Sequence, residues 1–236
     1  KNKGQAIRYS DDGQTPISDD GMISYFKNKA KNFAGRAYGF IDPKNLEYGI
    51  TFDGLETIVF CDQEGKRRWT SQYSFLPEGY GFSDMEIIMF RNGELWVGER
   101  NSERNTFFNI HYPSKITLVS NENNSKMRTF IALVVDGSDV WWCPDDDSIT
   151  IPPSVKYPQG MKSRLLKNLF RRLFTDWYTP FKKDLNSPNK TPTEALSNGR
   201  DLAGHVIKVT LYNDSTEEVT LKSAGVRYLI DEFTKK

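Results

Sequence analysis

From residue 36 to residue 119 the chain repeats one pattern, in which short runs of aromatic and β-branched residues are broken by Gly, Pro, Asn and Asp at intervals of about ten residues. The runs are Ala37 to Ile41, Glu47 to Phe52, Glu56 to Cys61, Trp69 to Phe75, Met85 to Phe90, Glu94 to Glu99 and Lys115 to Ser120. Between them lie Asp42-Pro43-Lys44-Asn45, Asp53-Gly54, Gln63-Glu64-Gly65-Lys66 and Asn92-Gly93, each with turn chemistry of its own. Asn-Gly is the favoured pair for a two-residue type I′ hairpin, so Asn92-Gly93 is expected at a hairpin tip between Phe90 and Glu94. Closely spaced antiparallel strands of this kind predict a sandwich or propeller-like blades. Alternation along Trp69 to Phe75 places Trp69, Ser71, Tyr73 and Phe75 on one face, which predicts Trp69 and Phe75 packed between strands.

The flanking segments read differently. Gly4 to Ser10 is strand-like, Asp11-Asp12-Gly13 and Ser18-Asp19-Asp20-Gly21 are turns, and Asp19 or Asp20 is placed to cap a short helix carrying Met22, Ile23, Tyr25 and Phe26. A second β segment, Met127 to Trp142, is followed by Cys143-Pro144-Asp145-Asp146-Asp147 and a Pro-rich linker. From Met161 to Tyr178 the apolar residues Met161, Leu165, Leu166, Leu169, Phe170, Leu173, Phe174 and Trp177 fall at helical spacing. Lys162, Arg164, Lys167, Arg171 and Arg172 fill most of the rest, so an amphipathic basic helix is expected. Thr193 to Ser197 suggests a short helix stopped by Asn198-Gly199, and His205 to Tyr212, Glu218 to Lys222 and Val226 to Ile230 suggest a small C-terminal β module. The expected organisation is mainly β: a propeller-like blade region over 1–120, a β segment and linker over 121–160, the basic amphipathic helix over 161–178 and the C-terminal β module over 179–236.

Composition narrows the chemistry. The 236 residues carry 32 Lys and Arg against 31 Asp and Glu, a net charge of +1 that gives no global pull toward nucleic acid or an anionic surface. Cys61 and Cys143 stand far apart without metal-ligand spacing, and two buried free thiols are expected. No apolar run approaches the ~20 residues that span a bilayer. The first residue is Lys1 in strand-like sequence, from which a piece of a longer chain is expected, completed upstream.

No catalytic constellation emerges. The triplet Asp145, Asp146 and Asp147 lacks the spacing of a calcium loop and reads as a solvated turn. His111 and His205 have no nucleophile or metal partner at a recognisable spacing. The basic segment suits a core-packing helix with a solvated face, an interfacial membrane helix or a nucleic-acid contact. Trp69, Tyr73, Phe75, Tyr80, Phe82, Trp96, Trp141 and Trp142 suit strand packing or stacking on sugars.

Certain stretches resemble a known family. Trp69-Thr70-Ser71-Gln72-Tyr73-Ser74-Phe75-Leu76-Pro77-Glu78, then Phe90-Arg91-Asn92-Gly93-Glu94-Leu95-Trp96, then Arg104-Asn105-Thr106-Phe107-Phe108, is similar in order and spacing to W-x-S-x-x-S-F-x-P-E, F-x-x-G-x-L-[WY] and R-N-x-F-[YF] of large structural proteins of crAss-like phages and related podoviruses. Asp184-Leu185-Asn186, followed by Asn198-Gly199-Arg200-Asp201-Leu202-Ala203-Gly204, resembles a segment near the C-terminus of those proteins, and Ser18-Asp19-Asp20-Gly21-Met22 resembles their I-S-D-x-G-M turn. The chain departs from the pattern at Val97-Gly98-Glu99-Arg100, where the family often carries a His, and the basic segment has no counterpart.

The resemblance implies a virion tail component of the muzzle or nozzle kind, built on propeller blades, that closes or extends the distal channel and assists DNA ejection or host engagement. It implies no enzyme activity, no cofactor, no metal and no small-molecule substrate. Its partners would be other copies of itself in a ring and neighbouring tail proteins, with phage DNA in transit or the host envelope as further contacts. The structural motif residues would be Trp69, Ser71, Phe75, Pro77, Glu78, Gly93, Leu95, Trp96, Arg104, Asn105, Phe107, Asp184, Asn198, Gly199, Leu202 and Gly204. The alternative reading is a secreted or cell-envelope glycan-binding protein using the aromatic residues.

Overall fold

A computed structural model describes residues 4–11, 13–98, 100–122 and 126–230. Lys1 to Lys3 of the opening stretch, Asp12 of the first turn and Glu99 at the end of Glu94 to Glu99 lie outside the described residues. The chain divides into two compact units, one of residues 1–102 and 106–110, the other of residues 103–105 and 111–236.

In the first unit, β1 (Ile7–Ser10) and β2 (Gly13–Pro16) pair as a hairpin, and α1 (Ile23–Asn32) follows a 3-10 turn at Ile17–Asp19. The helix is longer than its sequence signals suggest and its N-cap is Met22, without a side-chain cap from Asp19 or Asp20. Four consecutive strands, β3 (Ala37–Asp42), β4 (Glu47–Phe52), β5 (Glu56–Cys61) and β6 (Arg68–Tyr73), form an antiparallel meander. A second meander comprises β7 (Gly79–Ser83), β8 (Glu86–Arg91) and β9 (Glu94–Val97). Turn chemistry sets these registers. The Asp42 carboxylate accepts the backbone N–H groups of Lys44 and Asn45 at 3.0 and 3.2 Å, and Asn92 and Gly93 sit at φ 52° and 78° between the paired residues Arg91 and Glu94. That is the hairpin tip expected of Asn-Gly. Two further short strands, β10 (Thr106–Phe107) and β11 (Ile110–His111), pair with each other.

The helix packs on one face of the first meander. Ala6, Ile17, Phe26, Phe52, Ile58 and Phe60 are buried there, with Tyr25, Phe33 and Trp69 against them. Trp69 is half-buried; its ring lies 5.1 Å from Phe26 and 5.4 Å from Phe60, and its indole N–H donates to the Ile17 carbonyl at 3.0 Å. The strand does not alternate as the sequence suggests. A bulge at Thr70 makes Phe60 face Trp69 while Val59 faces Ser71, and adjacent residues of β5 point to opposite sides. Trp69 therefore shares the helix face, and Ser71 and Tyr73 lie on the other.

The second unit is a sandwich of two antiparallel sheets. One runs β12 (Ser114–Ser120), β19 (Ile207–Asn213), β14 (Ile149–Ile151) and β15 (Met161–Ser163). The other runs β16 (Arg171–Leu173), β17 (Asp176–Pro180) and β13 (Arg128–Gly137), with β18 (Ala203–Gly204) and β20 (Leu221–Ile230) also on β13. Phe130, Leu133 and Val135 from the second sheet meet Ile149, Ile151, Met161, Ile207, Val209 and Leu211 from the first in one buried core. α2 (Pro192–Asn198) begins with a capping box, Thr191 and Glu194 each satisfying the other's backbone N–H.

Two expectations are corrected here. Residues 161–178 are not a helix: they form β15, a 3-10 turn at Lys167–Leu169, β16 and the start of β17. The C-terminal strands are not a separate module, since β19 lies between β12 and β14 while β20 pairs with β13. Of the fold expectation, the mainly β, antiparallel architecture stands; the meanders do not close into a propeller among the described residues.

Candidate functional site

The motif residues do not converge on one pocket. They form separate nodes, each fixing a place where non-neighbouring segments meet.

In the first unit the aromatic node centres on buried Phe75. Its ring stacks on Phe107 at 4.2 Å and on Tyr73 at 5.0 Å, with Phe108 edge-on at 6.0 Å. Phe108, at φ 53°, meets Trp96 edge-on at 5.5 Å, and the Arg91 guanidinium lies over its ring at 4.8 Å. The Phe75 carbonyl accepts from the Thr57 hydroxyl, which pairs with the Thr51 hydroxyl at 2.7 Å, and Thr51 meets the Tyr80 hydroxyl at 2.6 Å. Burial pushes the Tyr80 phenol up to about 12. Pro77 is buried beside this node, whereas Leu95 is exposed. Glu78 clamps the hairpin tip: its carboxylate accepts the Asn92 N–H at 3.1 Å and its own N–H donates to the Phe90 carbonyl at 2.7 Å.

Two nodes occupy the second unit. At the first, the Asn105 amide donates to the Ser215 carbonyl at 3.0 Å and accepts from the Ser114 hydroxyl at 2.9 Å, while the Arg104 N–H donates to the Thr216 carbonyl at 2.7 Å. Asn is one of the few residues other than Gly that tolerates the φ of 59° found here. At the second, fully buried Asp184 accepts the backbone N–H groups of Lys162 and Asn186, each at 3.0 Å, and the Arg200 guanidinium at 2.7 Å. Its carbonyl accepts the Ser187 hydroxyl at 2.6 Å. Asn198 ends α2, and a side chain at Gly199 would stand 2.3 Å from the Ala195 carbonyl oxygen and 2.5 Å from Ser187 Oγ, so only glycine lets the chain pass. Leu202 is buried in the sandwich core, and Gly204 pairs with Arg128 where a Cβ would lie 2.5 Å from Ile151.

The five cations of the expected helix are dispersed. Lys162 is exposed, Arg164 pairs with Asp146 at 2.9 Å, and Lys167 pairs with Asp214 at 3.5 Å and lies 4.7 Å from the Trp142 ring centre. Arg171 and Arg172 are exposed on β16, Arg172 lying 5.5 Å from the Trp177 ring centre. They share no helical face.

Sequence reasoning passed over Arg128, which is fully buried at the start of β13. Its guanidinium lies 4.8 Å from the Tyr228 ring centre and 5.5 Å from that of Phe130, and it donates to the His205 carbonyl. The sequence offers little signal, since a charged residue at the edge of a strand pattern is ordinarily exposed. Arg200 was the other omission, although it stands between Gly199 and Leu202 in a quoted motif.

The remaining chemistry is sparse. Both cysteines are free and buried, as expected, and burial pushes the Cys143 thiol up to about 12, which removes it from ordinary nucleophilic use. No group of three or more metal-ligating side chains exists among the described residues, and no helix among them is long and apolar enough to cross a membrane. Of the aromatic candidates, Trp69, Phe75, Trp96 and Trp141 pack into the protein, whereas Phe82 is exposed.

Compared with known proteins, residues 102–184 match the Crassvirus muzzle protein C-terminal domain. This bears out the resemblance read from the sequence. The matched segment holds Arg104, Asn105 and the strands from β12 to β17, and it ends at Asp184. No curated protein matches the chain.

Proposed function

From the match of residues 102–184 to the Crassvirus muzzle protein C-terminal domain, we propose that this chain works as an architectural element of a phage tail. It is a virion structural protein in this reading, with copies of itself and neighbouring tail proteins as partners. The observation that carries the reading is the use made of the motif residues. Phe75, Asn105, Asp184 and Gly199 brace strands and loops against each other, and none is aimed into an open cleft. Rigid scaffolding that leaves loops free suits a protein arranged around a channel.

The finer parts of the proposal follow from position in a tail. The chain would help close or extend the distal channel, hold it until DNA ejection, and present loops toward the host envelope. The four-stranded meander β3–β6 supports a blade-like role for the first unit, because consecutive antiparallel strands are the unit of a propeller blade.

The test is direct. Antibodies raised against the chain should label purified particles at the distal end of the tail in electron micrographs, and its peptides should appear in the mass spectrum of those particles. Purified particles lacking the chain would overturn the proposal.

A further inference from the structure

The sandwich of the second unit is open along one side. β12 is the outermost strand of its sheet, and in the other sheet β20 pairs only with β13. Leu211 of β19 is 0% exposed, whereas Ile116, its partner in β12 on the same inner face, is 38% exposed. The core therefore runs out one strand short of full cover. Leu118 in β12 and Ala224, Val226 and Tyr228 in β20 are only partly buried against it.

The bonding directions of β12 follow from those of β19. Tyr212 exchanges both of its backbone bonds with Trp142, at 2.8 and 3.1 Å, and the Thr210 N–H donates to the Ser148 carbonyl at 2.7 Å. Bonding direction alternates along a strand, so Val209 and Leu211 turn toward β12 and meet Leu118 and Ile116. Lys115, Thr117 and Val119 then direct their N–H and C=O groups away from the sheet, where no backbone group among the described residues meets them. Proteins normally blunt such an edge with charge, bulges or short length. β20 carries two register shifts together with Lys222 and Arg227, and β15 and β16 have three residues each. β12 lacks these defences: its seven residues pair in unbroken register, Lys115 is its one charge, and Val119 is 57% exposed.

The outer face of these strands has one sign of charge. Lys115, Thr117 and Val119 stand beside Tyr212, Thr210 and Lys208, with no carboxylate among these positions. Neither lysine enters an ion pair among the described residues, and Lys115 rests 4.7 Å from the Tyr212 ring centre. The β12 of a second copy would bring another Lys115 to this face and no acid, so charge favours a different occupant. We infer that β12 accepts an extended strand from a partner protein, its apolar residues continuing the core past Ile116 and alternating with carboxylates on the lysine-bearing face. The inference rests on the structural-protein reading above and names one class of partner within it.

The probe is an acetylated and amidated peptide of alternating Val and Glu, matched to the seven residues of β12 and added at about 1 mM to the full chain, with amide hydrogen exchange as the readout. In the free chain the amides of Lys115, Thr117 and Val119 should exchange faster than those of Ile116 and Leu118, and the peptide should slow those three by about tenfold. Thr117→Pro removes an N–H that makes no bond to β19, so the chain should melt close to wild type while the protection vanishes. K115E/K208E leaves the backbone untouched; it should lose the Val/Glu peptide and take a Val/Lys peptide instead. No protection of the three amides in wild type, or equal binding of the two peptides, overturns the inference. So does self-association in analytical ultracentrifugation that Thr117→Pro abolishes, which would assign the edge to a second copy. Particle labelling tests the structural-protein reading separately, so either can fail alone.

Discussion

Replacing Asp184 by Ala should lower the stability of the second unit by about 3 kcal/mol, and the figure follows from its surroundings. The carboxylate is fully buried and holds two backbone N–H groups and the Arg200 guanidinium. Without it the Lys162 and Asn186 N–H groups lose their acceptor, at about 1 kcal/mol or more each where water does not reach them. The ion pair adds less than a buried one, because the Arg200 side chain is 37% exposed and solvent screens it. Urea unfolding followed by tryptophan fluorescence reads the loss: with a denaturant slope of about 2 kcal/mol per molar, the midpoint should fall by about 1.5 M. Asp184→Asn keeps one acceptor oxygen and should lose about half as much. Arg200→Met should lose less than Asp184→Ala, and the double variant should show coupling between them. A shift below about 0.5 kcal/mol for Asp184→Ala would refute the reasoning, since it would mean the buried N–H groups find other partners.

Further outcomes are expected elsewhere. Gly199→Ala should destabilise by about 2 kcal/mol in the same assay, because its methyl meets the Ala195 carbonyl, and a neutral result would mean the end of α2 is free to shift. Gly93→Ala should cost about 1 kcal/mol at φ 78°, read from the melting temperature, whereas Asn92→Gly should be nearly neutral. Trp69→Phe retains a ring against Phe26 and Phe60 but loses the bond to the Ile17 carbonyl, for about 1 kcal/mol; a loss above about 4 kcal/mol would show the indole to be far more central. Burial works to raise the Glu56 carboxyl, but hydrogen bonds from Lys29 and Tyr25 and the Lys29 charge hold it below its ordinary value. Its stabilising contribution is thus present above the unfolded carboxylate pKa and lost as pH falls through the lowered folded value. Glu56→Gln should flatten that acid limb, and an unchanged pH profile would count against the pairing.

Much of the fold was legible where one local rule sufficed. Asn92-Gly93 and Asp53-Gly54 carry their turn geometry in their own backbone preferences, and Asn198-Gly199 stops α2 as expected. The alternation of β19, with Ile207, Val209, Leu211 and Asn213 inward, follows from a sheet with one buried face. The segment Met161 to Tyr178 was illegible for a physical reason. Met161, Leu165 and Phe170 are core residues, but they enter the core from a strand, a bridge and a 3-10 turn in succession. Short elements separated by turns mimic the three-to-four spacing of a helix, and spacing alone does not distinguish them. The exposed Leu166, Leu173 and Phe174 are the residues a true helical stripe would have buried.

The motif from Trp69 to Glu78 shows why order in sequence need not mean order on a face. A single extra residue at Thr70 reverses the side to which everything before it points. Trp69 thereby joins Phe26 and Phe60 under the helix, while Tyr73 and Phe75 join Phe107 on the opposite side of the strand. One short strand is thus built into two packing layers, and Glu78 at the end of the motif secures the hairpin tip of the next meander. Trp69, Phe75 and Glu78 each answer to different neighbours, so exchanging any of the three for a generic apolar residue loosens one of these contacts. The bulge at Thr70 that hid the geometry is the device that lets one strand serve both layers.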